Sequence, residues 1–260
     1  MAETRGNLAR PDGEALAWRR IAGAGPTVVW LGGYRSDMTG TKAEALAAWA
    51  QARGRAYLRF DYFGHGASSG AFRDGTITRW RDDAHAVLGK LCDGPQVLVG
   101  SSMGAWIALL IARARPEKVA ALLLLAPAAD FTEALIWARM TPDIRSEVME
   151  RGAWQRPSAY GDGPYPITRA LIEDGRRHLL LDAPIDLGCP VHILQGMKDP
   201  DVPWRHALKL VEKLSGNPVL SLIKNGDHRL STPEDIDLIA QTLDAILAAG
   251  NPRNRDISEP

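Results

Sequence analysis

Cysteine is nearly absent: Cys92 and Cys189 are the only two in 260 residues, far apart and each alone in its neighbourhood. That excludes a disulfide framework and the close-spaced pairs of a zinc site, and it leads us to expect reduced thiols and a cytoplasmic setting. An excess of either charge is also missing, since 31 Lys+Arg stand against 31 Asp+Glu. A balanced chain lacks the basic footprint of a nucleic-acid or anionic-membrane binder, so no nucleic-acid partner is expected. Long apolar runs are lacking as well. The longest, near Ala105–Ala112 and Val119–Ala126, fall well short of the roughly 20 residues a spanning helix needs, so no membrane insertion is expected. The opening Met-Ala-Glu-Thr-Arg has an early acidic residue and no apolar stretch, unlike a secretory or organellar leader.

What the chain does have is a globular composition, 45% hydrophobic and 24% charged, and enough length to bury a large core in one domain spanning 1–260. Strand-like and helix-like segments alternate, the mark of a mostly parallel sheet with helices on both faces. Asn7–Arg10 and Ala15–Ile21 flank Pro11-Asp12-Gly13, which reads as an antiparallel hairpin at the sheet edge. Strands are expected at Thr27–Leu31, Ala56–Phe60, Gln96–Val99, Val119–Leu125, Val191–Leu194 and Val219–Ile223. Helices are expected at Lys42–Arg53, Ile77–Leu91, Ala105–Ala114, Trp204–Leu214 and Pro233–Ala248, with the residues beyond Asn251 frayed. From Phe131 to about Asp186 the rhythm breaks. Short helical pieces mix there with Pro142, Pro157, Pro164 and Pro166, and no strand is evident, so this reads as an insertion.

Gly-x-Ser-x-Gly occurs twice, at Gly66–Gly70 and Gly100–Gly104, although a shuffled chain of this composition would show about 0.1 matches. The pattern acquires meaning only between a strand and a helix. Ser68 has neither beside it and is assigned to a loop. Ser102 follows a buried strand and precedes an apolar helix, at a turn so sharp that side chains two before and two after it would collide. Glycines at 100 and 104 remove that collision, and the first free N–H groups of the helix face the reaction centre. Ser102 is therefore the expected nucleophile.

A serine hydroxyl needs a base to take its proton and a carboxylate to hold that base in the right tautomer. His228 lies in a loop directly after the last expected strand, at the same carboxyl edge as Ser102. His65, between two glycines, suits a loop or substrate-contact role, while His85, His178, His192 and His206 fall inside expected helices or a strand. Asp199 follows the strand Val191–Leu194 and is the preferred acid, with Asp130 and Asp201 as alternatives. Asp227 is adjacent to His228 along the chain and so directed away from it. The order Ser, Asp, His is that of the α/β-hydrolase fold. Two N–H donors for an oxyanion are expected from Met103 and, across the Leu31-Gly32-Gly33-Tyr34 loop, from Tyr34.

These residues resemble the α/β-hydrolase superfamily, and most closely its palmitoyl-protein thioesterase and acyl-glucuronide esterase branch. The likeness is carried by Gly33-Tyr34-Arg35-Ser36-Asp37-Met38-Thr39-Gly40-Thr41-Lys42-Ala43, by Asp61-Tyr62-Phe63-Gly64-His65-Gly66-Ala67-Ser68 and by Gly100-Ser101-Ser102-Met103-Gly104-Ala105-Trp106. The resemblance implies hydrolysis of esters or thioesters of small or acylated substrates, with no metal and no organic cofactor, through Ser102, Asp199 and His228. Gly32 departs from the pattern, standing where many members have a His, which leaves the outer support of the oxyanion loop unassigned. The insertion then corresponds to a lid, with Phe131, Leu135, Ile136, Trp137, Met140, Trp154, Tyr160 and Tyr165 available for an acyl pocket. Its Arg139, Arg145, Arg151 and Arg156 could meet an anionic leaving group or form a solvated face. The lid helices also offer a surface for a homodimer. Two other readings share these residues: cleavage of amide, peptide or carbon–carbon bonds, and a non-catalytic ligand-binding homologue.

Overall fold

The computed structural model describes residues 2–157 and 163–250. The frayed end expected beyond Asn251 lies outside the described residues. An eight-stranded sheet runs in the order β1-β2-β4-β3-β5-β6-β9-β10. Its antiparallel edge is the hairpin of β1 (Glu3–Ala9) and β2 (Ala15–Ile21), turned by Pro11-Asp12-Gly13 with Gly13 at φ 88°. β2 pairs antiparallel with β4 (Arg55–Phe60). The remaining strands, β3 (Ala24–Leu31), β5 (Gln96–Ser101), β6 (Val119–Leu125), β9 (Val191–Gly196) and β10 (Val219–Ile223), are all parallel to β4. The α/β-hydrolase architecture expected from the sequence is thus present.

Period-two alternation in the buried strands sorts the core into two layers. Val29 and Leu31 of β3 and Leu122 and Leu124 of β6 face α2 (Ile77–Leu91) and α3 (Met103–Ala114). Val28, Trp30, Leu123 and Leu125 face the opposite layer with α1 (Thr41–Arg53). The strand order reverses direction at β3: the chain steps to β4 on one side and returns to β5 on the other. At such a switch point the loops after the two neighbouring strands splay apart and leave a crevice at the carboxyl edge. The Gly32–Gly40 loop and the Ser102 turn border it.

Between β6 and β9 lies the insertion. It contains α4 (Pro142–Arg151), β7 (Ala153–Arg156), β8 (Tyr165–Thr168) and α5 (Arg169–Gly175). The expectation of no strand here is corrected: β7 and β8 form a separate antiparallel ribbon, with Ala153 opposite Thr168 and Arg156 opposite Tyr165. Each strand has four residues, too short for alternation to register. Both strands of a two-stranded ribbon are edges, so Pro166 is tolerated despite its missing N–H. Asp130 accepts from the Leu180 and Leu181 amides at 2.9–3.0 Å, and Asp174 accepts from the Thr78 amide at 2.7 Å. These bonds fasten the far end of the insertion to the sheet and to α2. After β9 come α6 (Trp204–Lys213) and, after β10, α7 (Pro233–Ala249), which joins α1 on its face. Among the described residues no helix is long and apolar enough to cross a membrane.

Candidate active site

Ser102 stands between β5 and α3 with φ 54° and ψ −115°, a strained conformation for a residue with a side chain. Neither flanking glycine has room for a side chain. A Cβ at Gly100 would come within 2.6 Å of the Ala105 backbone, and one at Gly104 within 2.0 Å of the Leu31 carbonyl oxygen. The turn is closed by backbone bonds: Ser102 N–H donates to Leu125 O at 2.9 Å, and Ser102 O accepts from Ala105 and Ala128 amides at 3.0 and 3.2 Å. The serine is held by neighbours on three elements, and Met103 opens α3 with its N–H in the unsatisfied first turn.

Asp199 lies in the loop after β9 and its side chain is wholly buried. Oδ1 accepts from the Asp201 and Val202 amides at 2.9 and 2.8 Å. Oδ2 accepts from His228 Nδ1 at 2.8 Å and from Gln195 Nε2 at 3.3 Å. A carboxylate can only accept, so Nδ1 of His228 carries the hydrogen, the tautomer that leaves Nε2 as the acceptor of a neutral ring. Asp199, Asp201 and His228 are also the one group of acids and histidines among the described residues close enough to hold a cation. The Asp199 oxygens and His228 Nδ1 are already committed to each other and to N–H donors.

The other acids weighed in the sequence have partners of their own. Asp130 is occupied by Leu180 and Leu181, Asp201 pairs with Arg156 at 3.7 Å, and Asp227 accepts from the Arg229 and Leu230 amides, shaping the His228 loop. Among the other histidines, His206 donates to Ala129 O at 2.7 Å and His178 meets Thr78 Oγ1 at 2.7 Å, and neither lines the cavity that holds Ser102. The second Gly-x-Ser-x-Gly serine is a structural brace. Ser68 Oγ donates to Asp61 O at 2.6 Å and accepts from Ala17 N–H at 2.9 Å.

A cavity of about 430 Å³ brings Ser102, Met103, His228 and Tyr34 together. Its lining combines apolar side chains, Phe131, Leu135, Ile136 and Val202 among them, with Arg35, Lys42, Arg156 and Arg229 and the acids Asp37 and Asp201. Of the lid residues expected to line an acyl pocket, Phe131, Leu135, Ile136 and Tyr165 do so. Trp137 instead lies beneath the guanidinium groups of Arg145 and Arg176, Met140 and Trp154 pack on the core, and Tyr160 lies outside the described residues. Of the four lid arginines only Arg156 reaches the cavity; Arg139 and Arg145 donate to backbone carbonyls.

Tyr34 is anchored by its side chain, which packs edge-on against Phe72 and Trp80 and donates from its hydroxyl to Pro166 O at 3.1 Å. Burial pushes the phenol well above its usual range, so it stays a donor. Its backbone N–H has no acceptor among the described residues. Two residues matter more than sequence reasoning indicated. Lys42, at the start of α1, donates to the Arg229 carbonyl and to Ser231 Oγ at 3.4 Å, bracing the His228 loop from across the cavity. Burial pushes its ammonium down to about 8. His65 is buried, its Nε2 accepting from the Arg35 amide, and it does not line the cavity. Both partnerships join distant segments, and only the quoted motifs containing these residues hinted at them. The two thiols are poor rival nucleophiles, since burial pushes Cys92 up to about 12 and Cys189 to about 11.

Residues 13–242 match the alpha/beta hydrolase family. The human protein named palmitoyl-protein thioesterase ABHD10, mitochondrial, is 39% identical over 242 residues, covering 92% of this chain and 79% of its own. The mouse alpha/beta hydrolase domain-containing protein 10 superposes with a TM-score of 0.89 at 36% identity, covering 95% of this chain and 100% of that one. A crystal structure from Agrobacterium vitis S4 gives 0.91 at 46% identity, with the same coverage. With a family match over most of its length and relatives of this similarity, the chain belongs to the alpha/beta hydrolase family.

Proposed function

We propose that the protein hydrolyses thioesters and carboxylic esters through an acyl-enzyme on Ser102. The observation that carries this reading is the strained serine at the head of α3 sharing one cavity with His228, whose Nδ1 is bound to a buried Asp199 at 2.8 Å. In the first half-reaction His228 Nε2 takes the Ser102 proton as Oγ attacks the carbonyl carbon. The developing oxyanion accepts from the Met103 and Tyr34 N–H groups, each such donor being worth about 2.7–4 kcal/mol of transition-state stabilisation. The imidazolium, held by Asp199, returns its proton to the departing thiolate or alkoxide. In the second half, water gives its proton to Nε2 and attacks the acyl carbon, releasing the carboxylic acid and Ser102. No step calls for a metal or an organic cofactor.

Thioesters lead because the human relative's name is that of a palmitoyl-protein thioesterase. The apolar lining of Phe131, Leu135, Ile136 and Val202 suits an acyl chain and excludes water. The cations in the same lining, Arg35, Lys42, Arg156 and Arg229, favour as a second reading an ester whose leaving group is anionic, acyl glucuronides included. Turnover of acyl thioesters, aryl esters and acyl glucuronides of graded chain length, by the wild type and by Ser102→Ala, tests both. Ser102-dependent cleavage with a preference for long-chain thioesters is expected. Absence of any turnover that depends on Ser102 would overturn the proposal.

A further inference from the structure

Gly32 stands where a relative's supporting histidine is expected, yet the loop it opens is not left unsupported. We propose that His65 supplies the missing support: it is a positioning residue whose Nε2 lone pair holds the Arg35 amide and thereby aims the adjoining Tyr34 N–H at the oxyanion. The inference rests on the serine-hydrolase reading above and deepens it.

Four observations converge. Arg35 adopts φ 60°, a left-handed conformation a residue with a side chain rarely keeps unless its surroundings impose it. The Arg35 N–H points at His65 Nε2, 3.3 Å away across 30 residues of chain. The opposite ring nitrogen, Nδ1, lies 3.1 Å from Phe63 O; a carbonyl can only accept, so Nδ1 carries the hydrogen and Nε2 is left as an acceptor. The ring cannot turn away. Tyr62, Phe72 and Trp80 enclose it edge-on at centroid distances of 5.8, 5.1 and 5.3 Å, and Trp80 also meets the Tyr34 ring edge-on at 5.7 Å.

The protonation state agrees with this geometry. Burial pushes His65 down to about 4, against the opposing pulls of the Phe63 carbonyl bond and Asp37, so Nε2 is unprotonated near neutral pH. An imidazolium there would set a second N–H against that of Arg35. The loop is also pinned independently at its far end, where Asp61 accepts from Met38 N–H at 2.7 Å and Arg59 donates to Met38 O at 2.9 Å. Removing the Nε2 acceptor therefore loosens residues 34 and 35 without releasing the loop. Tyr34 keeps its side-chain bond to Pro166 O, so the acyl pocket keeps its wall.

The test compares wild type, Ser102→Ala, His65→Gln, whose amide oxygen can accept from Arg35, and His65→Phe, which fills the aromatic cage but accepts nothing. Steady-state kinetics on an aryl ester and a long-chain acyl thioester are measured beside thermal unfolding and inhibition by a trifluoromethyl ketone that forms a tetrahedral adduct. We expect His65→Phe to lower kcat about 10- to 100-fold with KM nearly unchanged, below the ~10²–10³-fold loss from deleting an oxyanion donor outright. Ketone affinity should fall in parallel, and His65→Gln should recover most of both. If Phe is not accommodated, His65→Ala replaces it in the same comparison. A folded His65→Phe or His65→Ala with wild-type kcat and ketone affinity would overturn the positioning role while Ser102-dependent turnover still stood. A loss confined to KM or to thermal stability would overturn it equally. Absence of Ser102-dependent turnover in the wild type would remove the underlying reading itself.

Discussion

The two Gly-x-Ser-x-Gly segments of this chain share a pattern and nothing else. At Gly66–Gly70 the serine oxygen is saturated by the backbone, giving to Asp61 O and taking from Ala17 N–H, and it ties the loop after β4 to the edge hairpin. At Gly100–Gly104 the serine is lifted into a strained φ at the switch point of the sheet and faces a cavity that also holds His228. What makes a serine available for chemistry is the element before it and the element after it. The glycines serve different ends as well: at 100 and 104 they let strand, helix and the loop after β3 approach within distances no Cβ permits.

Substitutions sharpen the contrast. The largest effect is expected from Ser102→Ala, about 10⁶-fold in turnover, as for residues that act as one catalytic unit, read by ester hydrolysis with the fold checked by circular dichroism. Next, Asp199→Asn should lower kcat about 10⁴-fold by favouring the wrong His228 tautomer. Asp130→Asn, which leaves the charge-free amide beside Leu180 and Leu181, should instead reduce thermal stability with kcat near wild type; the reverse outcome would move the acid from the β9 loop to the β6 loop.

Gly104→Ala should destabilise by the upper end of roughly 1–3 kcal/mol, because its Cβ meets backbone at Leu31 and Gly32 that cannot yield cheaply. Ser68→Ala should cost roughly 1–3 kcal/mol in urea unfolding, through the two partners it strands, and leave kinetics untouched. The smallest effect concerns acid. His65 stays neutral in the fold down to about pH 4, whereas its unfolded form takes a proton near 6.5. The unfolded state then binds more protons, so stability falls as pH drops from about 6.5 towards 4, and His65→Gln should show a shallower fall in unfolding midpoint across that window.

Much of this was legible beforehand. The parallel strands read clearly because uninterrupted apolar runs such as Thr27–Leu31 and Val119–Leu125 have few other uses, and α2 emerges at the bounds its amphipathic spacing implied. The order of Ser102, Asp199 and His228 placed all three at one sheet edge, which only parallel topology guarantees. The insertion was opaque for the opposite reason: β7 and β8 are too short for a period to accumulate, and Pro166 reads as a breaker although a free edge admits it. Lys42 and His65 were invisible in their present roles because their partners lie 187 and 30 residues away, and a hydrogen bond to a backbone group leaves no trace in side-chain identity.

The account stands most directly on which serine becomes acylated. Reaction with a fluorophosphonate, followed by peptide mapping by mass spectrometry, should place a single adduct on Ser102, abolished in Ser102→Ala and strongly slowed in Asp199→Asn. An adduct on Ser68, or ester turnover that survives in Ser102→Ala, would contradict it.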